Sequence, residues 1–345
     1  MLVHANVGRI RRVASHPLLD VFATIATDKT VRLWSTLSSS QVALTRVASC
    51  GTAITFTPDG SAVAVGTDVG EVLILTCTYL QSCLENNAEP ALPRRKARWE
   101  LLGRKFVGSK SGSKGNEKGG ARRSAKFEIT ELKYSPTGDC LAVAGRDKSI
   151  HFLSAVVRVH VNLPIFSINS TFTLQHGYKK VGTCKGHSGV ITRVDFSDDG
   201  TLLQSCDGAR ETLYWEVPSG KQISDSRVKG TTWFTWSNPM GKPVKGIMNT
   251  CDTADSNNHI TDLVSINAVH RSNDMKSLLV GGGGNGFTPT NLKLFRFPCT
   301  SSAVPKEYSG HASSISDACF LQSDENVVSI GSSDACVLCW KHVAT

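Results

Sequence analysis

The chain has 345 residues, of which 40% are hydrophobic and 19% are charged, a balance typical of a globular protein with a large core. No apolar run approaches the roughly 18 residues of a membrane-spanning helix, and the N-terminus lacks the basic-then-apolar order of a secretory signal, so we expect neither a membrane protein nor an exported one. The formal net charge of +9 is uneven, because twelve Lys and Arg residues but only two Glu residues lie between Arg94 and Lys126.

Apolar and polar residues alternate along much of the chain, and Asp- or Gly-containing turns interrupt the alternation. Such a pattern predicts consecutive antiparallel strands in a meander. The clearest copy runs from Gly186-His187 to Trp215 and recurs from Gly310-His311 to Trp340, a separation of roughly three repeats of about 40 to 45 residues, the period of propeller blades. Taken in chain order, the repeats cover residues 9–35, 52–76, 127–155, 186–223, 260–297 and 309–343.

These repeats predict an all-β fold, a single WD-repeat β-propeller over residues 1–345 with six recognisable blades. Residues 224–258 are strand-like without the repeat's landmarks, and a seventh blade there is the alternative. Residues 81–126 are interpreted as a basic Gly/Ser/Lys-rich loop inserted between blades two and three, and residues 156–180 as a second insertion. Since the last blade lacks an outer strand of its own, we expect residues 2–7 to close the ring.

Within a blade, a His, a hydroxyl residue, an Asp and a Trp can form one buried hydrogen-bonded set. The repeat spacing favours this structural role over a Ser-His-Asp hydrolase, so we expect no enzyme. In blade six the hydroxyl could belong to Ser329 or Ser332. The Cys336-x-x-Cys339 pair has no second ligand pair, and we expect neither a metal nor a cofactor. The residues assigned to this structural role are His187, Ser205, Asp207, Trp215, His311, Asp334, Trp340, Asp28, Trp34 and Asp147.

The basic insertion is the one feature that the fold does not require. It is either a solvated loop or a contact surface for an acidic polymer such as tubulin's acidic tails, nucleic acid or an anionic membrane. The scarcity of aromatic residues argues against nucleic acid, and the glycines argue against an amphipathic membrane helix. The candidate contacts are Arg94, Arg95, Lys96, Arg98, Arg104, Lys105, Lys110, Lys114, Lys118, Arg122, Arg123 and Lys126.

Several segments resemble the echinoderm microtubule-associated protein-like (EMAP-like) family. They are LKYSPTGDCLAVAGRDKSIHFL (132–153), GTCKGHSGVITRVDFSDDGTLLQSCDGARETLYWEVPSGKQI (182–223), INAVHRSNDMKSLLVGGG (266–283), LKLFRFPC (292–299) and YSGHASSISDACFLQSDENVVSIGSSDACVLCW (308–340). The resemblance is to the second, C-terminal propeller of that family, and it implies binding to tubulin or microtubules. It also implies a further, N-terminal propeller and an oligomerising helical segment, neither of which is found in this sequence. A missing N-terminal propeller of the same protein is therefore one expected partner, with this chain as a fragment of a tandem-propeller protein.

We therefore predict a non-enzymatic interaction module of the microtubule cytoskeleton, located in the cytoplasm and on the cytoskeleton. Its expected partners are tubulin or microtubules and other cytoskeletal proteins, with no membrane partner. The alternative is a generic cytosolic WD-repeat scaffold whose basic loop contacts nucleic acid or nothing.

Overall fold

The computed structural model describes residues 2–4, 8–86, 97–107, 127–155, 177–250, 265–283 and 291–342. These residues form six four-stranded antiparallel sheets, which confirms the predicted six-bladed propeller. Each sheet is a blade whose strands follow in chain order from the central channel outwards, except that the sixth blade takes its outer strand from the N-terminus. No helix among the described residues is long and apolar enough to cross a membrane.

The strands are short and regular, as expected for a meander of repeats. The first strand is β1 (Leu2–His4), and blade one contains β2 (Ile10–Ser15), β3 (Val21–Ala26), β4 (Thr30–Ser35) and β5 (Ser40–Arg46). Blade two contains β6 (Gly51–Phe56), β7 (Val63–Thr67), β8 (Glu71–Cys77) and β9 (Trp99–Phe106), with helix α1 (Thr78–Asn86) between the last two strands. Blade three contains β10 (Ile129–Tyr134), β11 (Cys140–Gly145), β12 (Ser149–Ser154) and β13 (Lys179–Lys185).

The second half of the ring repeats this plan. Blade four contains β14 (Ile191–Phe196), β15 (Leu202–Asp207), β16 (Thr212–Glu216) and β17 (Gln222–Ile223). Blade five contains β18 (Ser265–Arg271), β19 (Ser277–Gly283), β20 (Leu292–Arg296) and β21 (Lys306–Tyr308). Blade six contains β22 (Ile315–Phe320), β23 (Asn326–Gly331) and β24 (Cys336–Lys341).

The second strand of each blade explains why the repeats read as apolar runs. In β3, β7 and β11 every residue is buried, because each of these strands has a neighbouring blade packed on both faces of its sheet. The buried side chains form six clusters, each of which joins two adjacent blades around the ring. The core is therefore a ring of inter-blade interfaces rather than one central mass.

The N-terminal strand closes the ring, as the sequence predicts. Leu2, Val3 and His4 pair antiparallel with Leu338, Val337 and Cys336 of β24. This pairing covers the edge that the final blade would otherwise expose.

Residues 224–250 form no seventh blade. They contain 3-10 helices at Asp225–Val228 and Lys242–Thr250, and between these helices an extended stretch lies between β14 and β18. Its backbone bonds to both neighbours, with Phe234 N donating to Phe196 O at 2.9 Å and Arg271 N donating to Trp236 O at 3.2 Å. Two prolines without N–H groups and two glycines at positive φ explain why no sheet forms here, and residues 251–258 lie outside the described part.

The segment expected to be one long loop, residues 81–126, is interrupted by regular structure. Helix α1 extends to Asn86, and β9 is the outer strand of blade two, paired with β8 from Glu71↔Phe106 to Cys77↔Trp99. The interpretation of 99–106 as loop was wrong, because its alternating side chains complete a sheet whose third strand is buried. Residues 87–96 and 108–126 lie outside the described part.

The second expected insertion, 156–180, is described only at its C-terminal end. Lys179 and Lys180 belong to β13, the outer strand of blade three, and pair with Ser154 and Leu153 of β12. Residues 156–176 lie outside the described part, so the extent of this insertion remains a prediction.

Candidate functional site

All six inner strands begin at one end of the central channel, which we call the upper face, and each carries a β-bulge at its start. In each pairing with the second strand the register shifts across one residue. A bulge turns its extra residue away from the regular alternation. The six bulge residues are Arg11, Thr52, Thr130, Thr192, Asn267 and Ser316, and all of them line one cavity of about 580 Å³ at the channel mouth.

The residue after each bulge forms a second ring, deeper in the channel. Four of its members are charged and two are alanines: Arg12, Ala53, Glu131, Arg193, Ala268 and Asp317. The charged members come from blades one, three, four and six, so opposite charges can meet between neighbouring blades, as in Glu131 and Arg193, and across the channel, as in Arg12 and Glu131.

Arg193 is the centre of this deeper ring. Its guanidinium lies 3.1 Å from Glu131 Oε2 and 3.0 Å from Asp317 Oδ1, and it also donates to the carbonyl of Asn267. Arg12 adds a bond of 3.2 Å to the same Glu131 oxygen. One arginine side chain therefore ties blade four to blades three, five and six.

Electrostatics separates the two arginines of this network. Burial and the nearby Arg193 lower the pKa of Arg12, whereas Asp317 and Glu131 outweigh burial and raise the pKa of Arg193. Both stay charged at neutral pH, since an arginine pKa is above 12 in water. The deeper ring is thus a neutral set of two arginines and two carboxylates.

The rim above this ring is basic. Arg9 and Arg210 are exposed there and have no ion pair within the described residues. Arg11 lies 3.1 Å and Arg146 lies 2.9 Å from the carboxylate of Glu128, which both must share. The cavity lining contains five arginines, but two of them, Arg12 and Arg193, are neutralised by the deeper carboxylates. The lining therefore retains Arg9, Arg11 and Arg210 against Glu128 and Asp207, an excess of one positive charge, and the neighbouring Arg146 adds a second.

In blade six the structure brings together the four residues expected to form one polar set. His311 Nδ1 lies 3.1 Å from Asp334 Oδ2, its Nε2 lies 2.8 Å from Ser329 Oγ, and Trp340 Nε1 donates to the same oxygen at 2.8 Å. The hydroxyl is that of Ser329, because Ser332 lies in the following turn.

Blade four has the same set with one difference. His187 Nε2 lies 2.6 Å from Ser205 Oγ, and Trp215 Nε1 donates to that oxygen at 2.8 Å. His187 Nδ1, however, is 3.5 Å from Asp207 Oδ2, beyond a normal hydrogen bond. Burial lowers the pKa of His187 despite Asp207 and Glu211, so the ring is neutral near pH 7.

Blades one and three hold only parts of this set. In blade one Trp34 Nε1 donates to Thr24 Oγ1 at 2.9 Å, while Asp28 instead accepts from the backbone N–H and hydroxyl of Thr30. In blade three Asp147 accepts from the backbone N–H and hydroxyl of Ser149, and that hydroxyl lies 3.1 Å from His151 Nε2.

One group of side chains within the described residues has the spacing of metal ligands. Ligand atoms of His187, Asp207 and Glu211 lie within 4.8 Å of one another. The Asp207 carboxylate already accepts backbone N–H groups from Gly189 at 2.7 Å, Glu211 at 2.9 Å and Ala209 at 3.0 Å. These bonds lower the pKa of Asp207 against the effect of burial, and they satisfy the carboxylate without an ion.

Only three of the twelve candidate basic contacts lie in the described part of the chain. Arg98, just before β9, and Arg104, on β9, are exposed, and Lys105 is half-buried. Arg104 lies 3.9 Å from Glu71. The other nine lie outside it, and β9 divides them into two sets. Residues 94–96 precede the lower end of the strand, whereas 110–126 follow Val107 on the upper face and lead to Phe127.

The basic channel mouth is the feature that reading the sequence alone missed. Its signal is present around the starts of the six inner strands, which read RIRRVA, CGTAIT, EITELK, VITRVD, SINAVH and SISDAC. Aligning these strands places Arg11 where the other blades have Thr, Asn or Ser, and places the charged deeper ring one residue later. The alternation of apolar residues does not reveal the bulges, which bring the bulge residue and the residue after it to the channel.

Comparison with known proteins identifies the family. The model for the echinoderm microtubule-associated protein second beta-propeller matches residues 106–342. The chain belongs to this family. Echinoderm microtubule-associated protein-like 2 of mouse is 29% identical over 347 residues, covering 99% of this chain, and the human echinoderm microtubule-associated protein-like 4 is 27% identical over 344 residues, also covering 99%. The family resemblance stated from the sequence is confirmed.

The chain spans 43% of the length of the mouse relative and 28% of the human one. Among solved structures, a chain in the "Crystal Structure of Mitotic Checkpoint Complex" matches with a TM-score of 0.63 over 100% of this chain and 91% of its own length. At 16% identity this likeness shows the propeller fold alone.

Proposed function

We propose that this chain is a non-enzymatic protein-interaction module of the microtubule cytoskeleton that binds tubulin or microtubules. The observation that carries the proposal is the family match over residues 106–342, together with relatives whose names describe them as microtubule-associated. Cytoplasmic and cytoskeletal localisation, with other cytoskeletal proteins as further partners, follows from the same proposal.

The geometry of the polar sets supports a non-catalytic role. In blades four and six the serine hydroxyl accepts a bond from a tryptophan indole, and Ser205 and Ser329 are fully buried. A nucleophile must reach its substrate, and these hydroxyls lie between packed strands. We therefore assign these residues to the stability of blades four and six.

Co-sedimentation with assembled microtubules tests the proposal. The chain is expected to pellet with microtubules at low salt and less at moderate salt, because exposed basic side chains are screened by ions. Absence of pelleting at low salt would overturn the proposal. An RNA filter-binding assay serves as the comparison, and binding to RNA without pelleting would favour the scaffold alternative.

Two variants separate the contribution of the basic residues before β9 from that of the basic residues after it. One variant replaces the residues before β9 by glutamine (Arg94, Arg95, Lys96), and a second replaces those after it (Lys110, Lys114, Lys118, Arg122, Arg123, Lys126). If the segment 110–126 contacts the polymer, the second variant pellets less than the first. Equal pelleting of both variants and the unaltered chain would exclude the basic segments from binding.

A further inference from the structure

We propose that the upper mouth of the central channel binds an acidic polypeptide segment, in contact with Arg9, Arg11 and Arg210. The excess positive charge of these arginines lies at the rim of a cavity of about 580 Å³, a volume within the range of small-ligand sites. An acidic segment is the ligand whose charge complements this rim.

The rim charges are available to a ligand, whereas those deeper in the channel are not. Arg12 lies 3.2 Å from Glu131, and Arg193 lies 3.0–3.1 Å from Asp317 and Glu131. Both arginines are therefore already in ion pairs with carboxylates of this chain. Arg9 and Arg210, in contrast, are exposed and have no ion pair within the described residues. The deeper ring therefore forms a rigid, neutral base, and the rim arginines can turn towards a bound anion.

Glu128 limits the rim charge. Its two oxygens lie 3.1 Å from Arg11 and 2.9 Å from Arg146, so one carboxylate partly neutralises two arginines whose side chains are 45% and 66% exposed. An incoming carboxylate competes with Glu128 for both arginines. Removing the Glu128 charge therefore increases the positive charge of the rim, and it should strengthen the binding of an acidic peptide.

The lining favours a peptide over a nucleic acid. It contains no aromatic side chain within the described residues, and single-stranded nucleic acids are bound largely by stacking of bases on aromatic rings. It does contain the bulge hydroxyls and an amide, whose oxygens can accept bonds from a peptide backbone, although Thr52, Thr192 and Asn267 already donate to carbonyls of this chain. Thr130 Oγ1 is buried there without a hydrogen-bond partner among the described residues.

The inference rests on the proposed function in one respect, namely that the acidic segment belongs to a cytoskeletal partner. It is tested with a fluorescein-labelled deca-glutamate peptide, whose binding is followed by fluorescence anisotropy. Binding is expected to weaken as salt rises from about 50 mM to about 300 mM, because ions then screen the attraction between the rim arginines and the peptide more strongly. Absence of salt-sensitive binding by the unaltered chain would overturn the inference.

The decisive variant is Arg9→Gln with Arg210→Gln, for which we expect at least a roughly fivefold weaker affinity. Its matched control is Arg227→Gln with Arg296→Gln, which removes the same charge from exposed positions at the lower ends of blades four and five and should change affinity less than about twofold. Glu128→Gln should bind the peptide more tightly. Circular dichroism and melting temperature verify that each variant folds. Equal weakening by both double variants, or weaker binding by Glu128→Gln, would contradict a local rim site.

Two further measurements separate this inference from the proposed function. A labelled deca-thymidine oligonucleotide that binds more tightly than the peptide, and loses binding with Arg9 and Arg210, would overturn the assignment to an acidic peptide. If the peptide binds as expected but the unaltered chain does not pellet with microtubules, the rim site stands and the proposed function fails. If the chain pellets and the Arg9/Arg210 variant neither binds peptide less nor pellets less, the rim site fails.

Discussion

Arg193 is the side chain whose removal should most disturb the ring of blades. Its side chain is 8% exposed, it lies between Glu131 and Asp317, and it also bonds to the Asn267 carbonyl. Arg193→Met keeps much of the volume but leaves the two carboxylates with weaker partners, namely Arg12 at 3.2 Å and the Val13 N–H at 3.3 Å. Breaking a buried ion pair on one side typically costs about 3–5 kcal/mol, and we expect a loss of this size.

Urea unfolding, followed by tryptophan fluorescence and by far-ultraviolet circular dichroism, measures this loss. Coincidence of the two probes shows whether a two-state free energy can be extracted. Arg296→Met, an exposed arginine without an ion pair among the described residues, is the control and should change stability by less than about 0.5 kcal/mol.

A double-mutant cycle tests whether the loss is electrostatic. Asp317→Asn in the Arg193→Met background removes one of the two unbalanced carboxylates. The double variant should therefore be more stable than the sum of the single losses implies, by at least about 1 kcal/mol. Strict additivity, or a loss below about 1 kcal/mol for Arg193→Met alone, would refute the view that this network joins the blades.

Three other outcomes are expected. Ser205→Ala removes the hydroxyl that bonds to both the indole and the imidazole and should destabilise the chain by about 2–4 kcal/mol, and Ser329→Ala should do the same in blade six. A loss of under about 0.5 kcal/mol in both would contradict the structural role. Burial lowers the pKa of His16 from 6.5 to about 4, so the unfolded chain takes up a proton at a higher pH than the folded chain does. The free energy of unfolding, which is full above pH 6.5, should therefore fall by up to about 3 kcal/mol as the pH drops towards 4. If a His16→Gln variant shows the same pH dependence in urea titrations, this residue is not the cause. Deleting residues 1–8 removes β1 and exposes the edge of β24, so the melting temperature should fall by a few degrees, and an unchanged value would show that ring closure contributes nothing.

The fold could be predicted from the sequence because the same physical requirement acts on every repeat. A second strand such as VFATIA or CLAVAG must be apolar throughout, since blades pack against both of its faces. The polar sets were predictable for the same reason, because His311, Asp334 and Trp340 occur at repeat spacing and a buried polar group requires a partner. In blade one no histidine precedes the inner strand at the corresponding place, and among the described residues the indole N–H of Trp34 bonds to Thr24.

Three features depended on information that residue order does not carry. Strand β9 lies in a basic, glycine-containing stretch and could not be recognised from its sequence. The outer strand of a blade packs on one side only and needs few apolar residues. The stretch between β14 and β18 reads as strand-like, yet its Trp233 pairs with Ser197 after β14 and accepts a bond from Arg271 of β18, so its contacts are made to neighbouring blades. The channel mouth required the six bulges, which place Arg11 and Arg193 in successive rings although they lie far apart in sequence.

The positions of the charges also connect the two proposals. The basic segment 110–126 belongs to the insertion that the sequence predicts to be either a solvated loop or a contact surface for an acidic polymer. Its neighbours in the chain, Val107 and Phe127, lie on the upper face, and Glu128 follows directly and lines the channel mouth. A partner that reaches the arginine rim therefore passes the attachment points of the most basic segment of the chain. Because linked weak contacts on one partner raise each other's effective concentration, neutralising the rim and the segment together should weaken binding by more than the product of the separate effects, provided that one acidic segment spans both.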